Sequence, residues 1–307
     1  MNNGLKVGDF LSHGEIRQLR RKSNLRGAWL VLHGWAVVAA MMALYAAFPQ
    51  PLVLIVGLFV IAGRQLGLAV LMHDASHGLL FHTRWLNDFA GQWLCGAPAG
   101  ADMYAYRPYH MAHHRNTQQP DDPDLPLSAA FPISRASLAR KMLRDMIGWT
   151  FLRNRLFLLR ASLGKEFSRK ERGLRLWRTT GGLLVSNLVM AAGFLAAGRI
   201  ELYLMLWLLP LVISYSVVIR VRNIAEHAMT PDNDNPMLNT RTTRANLLER
   251  AILAPYWVNY HIEHHLFVFV PCFRLPQAHA MLMAKGYDKK MEIRDGYGAV
   301  LALAASA

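Results

Sequence analysis

Residues 51–77, PLVLIVGLFVIAGRQLGLAVLMHDASH, decide the fold. Through Leu71 the stretch carries one charge, Arg64, and it is long enough to cross a bilayer, which takes about 20 apolar residues in a helix. It then meets two histidines, His73 and His77, four positions apart. If the helix continues past the bilayer, both imidazoles lie on one face, about 5–6 Å apart at Cβ. An apolar helix ending in paired imidazoles predicts a membrane protein whose chemistry sits just outside the hydrocarbon. Alone the pair is weak, because a surface or core accident produces it as readily.

Three more stretches have the same character: 28–48, 182–197 and 201–219. The third of the four, 182–197, is short for a span unless it borrows flanking residues. Pro49-Gln50-Pro51 joins the first pair and Gly198-Arg199-Ile200 the second, so the four make two helical hairpins. A soluble all-α core is the competing reading, but buried helices seldom run this long without charge. The whole chain is oily: 53% of its 307 residues are hydrophobic and 18% charged, against about 25% charged in an ordinary soluble domain. That composition excludes disorder, and two cysteines, Cys95 and Cys272, are too few for a disulfide scaffold or a cysteine-based zinc site.

Topology follows from charge. Lys6, Arg17, Arg20, Arg21, Lys22 and Arg26 precede the first span, with no signal peptide before them, and basic residues beside a span hold that side in the cytoplasm. Four spans return the chain to the same side. The expectation is an all-α integral membrane protein. Its single domain, 1–307, places four transmembrane helices in two hairpins under a helical cytoplasmic cap of 72–181 and 220–307. If the source is bacterial, the membrane is the inner one. The net charge is +14, from 34 Lys and Arg against 20 Asp and Glu. Residues 135–178 hold 13 of the basic residues against three acids, Asp145, Glu166 and Glu171. With Trp149 and Trp177 interleaved and no nucleic-acid motif, this run suits a helix on anionic headgroups and not a nucleic acid. Residues 119–126, QPDDPDLP, read as a rigid loop.

The 13 histidines are the anomaly. After His73 and His77 come His110-Met111-Ala112-His113-His114, started by Pro108 where a helix can begin, and His261-Ile262-Glu263-His264-His265. In both, positions i, i+3 and i+4 share a helical face. Asn223 and His227, also four apart, sit where the fourth span leaves the membrane. Eight or nine imidazoles exceed what one metal takes and suit two metals with four or five nitrogens each. Imidazole does not choose among Zn, Cu, Fe and Ni. Glu-x-x-His di-iron spacing and the HExxH helix are both absent. His33 reads as a packed or interfacial residue, His82 as no sharer of the His77 face, and His13 and His279 as surface groups.

In order, spacing and relation to the spans, His73-xxx-His77, His110-xx-His113-His114, Asn223-xxx-His227 and His261-xx-His264-His265 resemble the membrane fatty-acid desaturase superfamily. Flanking words are similar too: HDASHG at 73–78, YRPYH at 106–110, DDPD at 121–124 and NYH at 259–261. The resemblance covers roughly residues 50–280. It implies a non-haem centre of two iron ions held by His73, His77, His110, His113, His114, His227, His261, His264 and His265, with Asn223 reaching one iron through water. It implies an oxygen-dependent desaturase that places a double bond in a fatty acyl chain, with dioxygen as co-substrate. The short HxxxH first box is more similar to acyl-lipid members than to acyl-CoA ones. Hydroxylases and carotenoid ketolases share these boxes and are the alternative outcome.

Several expectations attach to that reading. Asp74, Glu226, Glu263 and the 121–124 loop are candidates to orient the imidazoles. Residues 86–106, apolar but broken by Gly91, Gly96, Pro98 and Gly100, read as an interfacial segment that could line an acyl tunnel. No dinucleotide fingerprint, iron–sulfur cysteine set or spare haem domain is visible. The resemblance implies a separate donor, ferredoxin or cytochrome b5 with its reductase, which the basic face could steer. A metal transporter would carry ionisable groups at mid-membrane, and the spans hold little beyond His33 and Arg64.

Overall fold

The computed structural model describes residues 7–307; Lys6 lies outside them. Four helices are long and apolar enough to cross a membrane: α1 (Asn24–Ala47), α2 (Pro51–Ser76), α6 (Arg169–Ala196) and α7 (Ile200–His227). Between α2 and α6 lie α3 (Met103–Asn116), α4 (Arg135–Met146) and α5 (Trp149–Ser162), and α8 (His261–Leu266) follows α7. Among the described residues the strands are one parallel pair, β1 (Thr242–Arg244) with β2 (Ile293–Asp295), in register Thr242 to Ile293.

Local chemistry sets the helix ends. The Ser23 hydroxyl accepts from the Arg26 N–H at the start of α1, satisfying one orphan donor. Pro51 opens α2, where its missing N–H costs nothing. Three long helices overrun the boundaries that hydropathy suggests. α2 continues to Ser76, so His73 is a helical residue. α7 continues to His227. α6 borrows the basic residues from Arg169 to Arg178 and so reaches span length. Hydropathy stops where polar residues begin, whereas the hydrogen-bond ladder continues wherever a buried face still packs.

α2 is the central element. From Ile61 to Ser76 it is buried except at Ala69. Several of its neighbours are held by small residues and polar links. A Cβ on Gly67 would meet the Tyr256 ring at 2.7 Å, and one on Gly63 would meet Ile252 Cα at 2.8 Å. Gln65 Nε2 donates to Trp207 O at 2.8 Å, tying α2 to α7. Asn187 plays the same part for α6: its Oδ1 accepts from Trp207 Nε1 at 3.0 Å and Tyr203 Oη at 3.2 Å. Polar contacts of this kind between apolar helices fix partners that hydrophobicity alone leaves undecided. From Gly182 to Ala196 α6 has no fully buried residue, but Met190, Ala191 and Phe194 pack partly buried against the core.

The 86–106 segment is helical without interruption from Arg84 to Ala99, passing from α-helix (Arg84–Phe89) through π-helix (Ala90–Gly96) to a 3-10 turn (Ala97–Ala99). It breaks at Gly100, whose φ of 81° is left-handed, before α3 begins. Gly91 and Gly96 let it pack closely. A Cβ on Gly91 would collide with Ala75, and one on Gly96 would meet Met72 Cγ at 2.8 Å. The segment therefore lies directly on the histidine-bearing end of α2. Its outward side, Trp85, Phe89, Trp93 and Leu94, stays exposed.

Candidate metal centre

The three histidine clusters and His227 converge beside the ends of α2 and α7. They form two groups. Each residue offers a nitrogen lying within 4.8 Å of the others in its group: His73, His77, His110, His114 and His264 in one, and His113, His227, His261 and His265 in the other. How α3 and α8 are rotated against each other does the sorting. In α3, His110 and His114 (i, i+4) go to the first group and His113 (i+3) to the second. In α8 the assignment reverses: His261 and His265 go to the second group and His264 to the first. Each HxxHH box thus straddles both groups and ties them together. The ring centroids of His114 and His265 are 4.3 Å apart.

The nitrogens are arranged for a cation. His114 Nε2 lies 2.8 Å from His110 Nε2 and 3.0 Å from His264 Nε2. In the second group His261 Nε2 lies 2.8 Å from His227 Nε2 and 3.1 Å from His265 Nε2. A neutral imidazole has one N–H, so three converging Nε2 atoms cannot all be satisfied by one another. Further nitrogens, His73 Nε2 and His77 Nε2, are buried with no hydrogen-bond partner. Buried polar atoms are normally paired. Inward-facing lone pairs without donors are what a bound metal ion would satisfy, so the donor set fits two such ions.

Electrostatics keeps these rings neutral. Burial, followed by the Arg107 charge, pushes His77 down to about 4, and burial followed by His77 and His113 pushes His114 down to about 2. His110, His261, His264 and His265 move in the same direction, again through burial first. The folded state therefore binds protons less readily than the unfolded chain, in which histidine titrates near 6.5. The resulting stability is full above pH 6.5 and is lost as pH falls from there toward 4 for His77, and toward 2 for His114. Chelator-stripped protein in detergent should melt at a lower temperature at pH 4.5 than at pH 7.5. A flat or rising thermal midpoint would contradict this.

The groups that orient the rings are partly those expected. In the 121–124 loop, Asp122 Oδ1 accepts from His113 Nδ1 at 2.8 Å. Asp122 is itself fixed by the N–H groups of Gln118 and Asp124, both at 2.8 Å. This directs the His113 Nε2 lone pair into the second group. Glu226 does not orient a ring from behind: its Oε2 stands 3.5 Å from the inward-facing His261 Nε2 with no hydrogen-bond partner among the described residues, and its Oε1 accepts from Arg222 Nε at 2.6 Å. Thr117 Oγ1 lies 3.2 Å from His265 Nδ1. Asp74 and Glu263 work elsewhere. Asp74 accepts from the Cys272 N–H at 3.2 Å, while Glu263 accepts from Thr242 Oγ1 at 2.6 Å and meets His279 Nδ1 at 2.5 Å.

His279 is therefore not the surface group its sequence context suggests. Its side chain is 16% exposed and holds the buried carboxylate of the third box. His33 packs as expected, with Nδ1 3.1 Å from Tyr256 Oη. His13 and His82 are exposed. The Asn223 side chain makes no hydrogen bond among the described residues. With His113, His227, His261 and Glu226 it lines a cavity of about 20 Å³, roughly the room one water needs.

Comparison with known proteins agrees with this geometry. The family described as "Fatty acid desaturase" matches residues 49–297. Dihydrorhizobitoxine desaturase of Bradyrhizobium elkanii is 26% identical over 88% of this chain and 79% of its own length. A beta-carotene ketolase of a Paracoccus species is 26% identical over 81% of this chain and 86% of its own. An sn-1 oleoyl-lipid 12-desaturase of a Synechocystis species is 26% identical over 70% of this chain and 64% of its own.

Proposed function

Since the chain belongs to the fatty acid desaturase family, and is on that account an oxidoreductase of membranes, we propose that it is an oxygen-dependent desaturase that introduces a double bond into a fatty acyl chain, in lipid-linked form. The observation that carries this reading is the convergence of nine imidazoles into adjoining groups of five and four nitrogens. His73, His77, His110, His114 and His264 would hold one iron. His113, His227, His261 and His265 would hold the other, with Asn223 acting through a water in the small cavity. When bound, the two irons with dioxygen supply an oxidant strong enough for an unactivated C–H bond, which side chains cannot supply.

The chain's own residues do the rest. α2, α3 and α8 present the nitrogens from rigid elements, which holds them near one geometry. Asp122 holds the proton on His113 Nδ1, and Glu226 places a carboxylate oxygen beside His261. Ile224 and Ala225, just before His227, and Ile262, just after His261, are buried apolar neighbours that keep water from those ligands. Residues 1–307 act as one domain. Arg17, Arg20, Arg21, Lys22 and Arg26 beside α1 put the site on the cytoplasmic side, at the inner membrane in a bacterium. The electrons come from a separate donor, ferredoxin or cytochrome b5 with its reductase.

A hydroxylase or ketolase outcome is the second reading, favoured by the match to the beta-carotene ketolase. Product mass separates the two. The chain should be expressed with a compatible donor in a host of saturated lipids, and the lipid extracts analysed by mass spectrometry. A desaturase yields products two hydrogens lighter with no added oxygen. Oxygen in the product would replace the first reading with the second.

A further inference from the structure

A second cavity, of about 320 Å³, opens between residues 126–131, α4, α5 and α7. It shares Leu127 and Asn223 with the small cavity among the histidines, so its inner end adjoins the candidate metal centre. Its volume is at the small end for a ligand pocket, roughly 300–1,000 Å³. Phe131, Phe151 and Ile219 make the wall apolar, whereas four cations, Lys141, Arg153, Arg155 and Arg220, also line it and no carboxylate does.

Those cations are not equally engaged. Arg220 is neutralised by Asp145, with Nη2 2.8 Å from Oδ1. Arg155 donates from Nη1 to Gly100 O at 2.8 Å, but its Nε is buried with no hydrogen-bond partner. Lys141 and Arg153 take part in no ion pair or hydrogen bond among the described residues. Burial pulls the Lys141 ammonium below its ordinary range, as do the charges of Arg220, Arg144 and Arg153. A negative group placed there relieves that crowding and satisfies Arg155 Nε. A neutral hydrocarbon would cover the same cations without compensation, which is costly.

We propose that this cavity is the head-group site of the substrate, and that it takes the anionic head of the amphiphile that carries the acyl chain, the phosphate of a lipid or the carboxylate of an unesterified chain, with the apolar chain running past Asn223 toward the histidines. The proposal rests on reading the histidine groups as the oxidising centre, and it narrows the substrate to an anionic amphiphile, with a neutral carotenoid disfavoured.

Binding tests it without turnover. Metal-replete protein in non-ionic detergent is titrated with octanoate, octyl phosphate and methyl octanoate, followed by saturation-transfer NMR. The double variant Lys141→Glu/Arg153→Glu should bind octanoate and octyl phosphate about tenfold more weakly and leave the methyl ester unchanged. Lys141→Gln/Arg153→Gln, a gentler pair, should weaken the same two probes in case charge reversal disturbs folding. In a second arm, native mass spectrometry of protein from phosphatidylglycerol nanodiscs reads retained lipid. Charge-dependent retention of that lipid with no response to octanoate supports the same anion site and identifies a lipid as the source of the head. Charge-independent binding of every probe overturns the proposal. Metal analysis of the same samples is separate: absence of metal would sink the oxidising centre and leave the anion titration standing.

Discussion

Replacing His264 by Ala should weaken retention of the iron proposed for the five-nitrogen group by more than about 100-fold and lower product formation at least as much. The magnitude follows from position. His264 is 4% exposed and is the one residue α8 gives to the five-nitrogen group. Its Nε2 lies 3.0 Å from His114 Nε2, so truncation removes a nitrogen from the middle of the set and leaves a hole facing His73 and His77. Loss of an orienting partner outside the ligand shell already costs about 10–100-fold in metal affinity or activity, and loss of a ligand should exceed that. Asp122→Asn supplies the graded comparison. It keeps an oxygen near His113 Nδ1 but removes the charge, so it should weaken iron retention within that lower range and leave the iron count near two at saturating metal. Elemental analysis after desalting reads the stoichiometry, and chelator competition reads the affinity. If His264→Ala retained two irons and full activity, the grouping of nitrogens proposed above would be wrong.

The ligand boxes are legible in the sequence because their geometry is local. Spacings of three and four residues on a helix decide which imidazoles share a face before any tertiary contact exists, and the four apolar runs are equally local. The partition within each box is less so. That His110 and His114 face one group while His113 faces the other depends on how α3 is rotated against α8, and spacing within a single helix carries no such information. The His279–Glu263 contact is hidden for the same reason. His279 follows Pro276 and Gln277 on a helix of mixed character, and only the packing of that helix on α8 buries it. Asn187 stands in an apolar run as an unexplained polar residue. Its partners, Tyr203 and Trp207, lie beyond the hairpin turn, and once a hairpin is assumed a polar residue facing the second helix could have been suspected. The Arg222–Glu226 pair was within reach, since i,i+4 partners on one helix are predictable.

Asp145→Ala should be the most destabilising substitution in the cap, by about 3 kcal/mol. The 135–178 run reads as a basic helix on anionic headgroups, yet its first acid is fully buried. Asp145 closes α4 and accepts from Thr150 Oγ1, at the start of α5, at 2.5 Å. It also pairs in a fork with Arg220 of α7, with Nε to Oδ2 at 2.5 Å and Nη2 to Oδ1 at 2.8 Å. One carboxylate thus joins two cap helices to the helix that carries His227. Removing it strands a cation of which only 22% is exposed. Breaking one side of a buried pair costs about 3–5 kcal/mol, and the residual exposure of Arg220 places this case at the low end. At about 2–4 °C per kcal/mol, the thermal midpoint should drop by roughly 6–12 °C. The double variant Asp145→Leu/Arg220→Met distinguishes a lost tether from a stranded charge. If the penalty is the unpaired guanidinium, replacing both partners with apolar side chains should recover most of the midpoint. If the double variant melts as low as Asp145→Ala, the directional fork itself holds the cap to α7. A midpoint unchanged in Asp145→Ala would mean that α4 and α5 are held on α7 by their apolar faces alone.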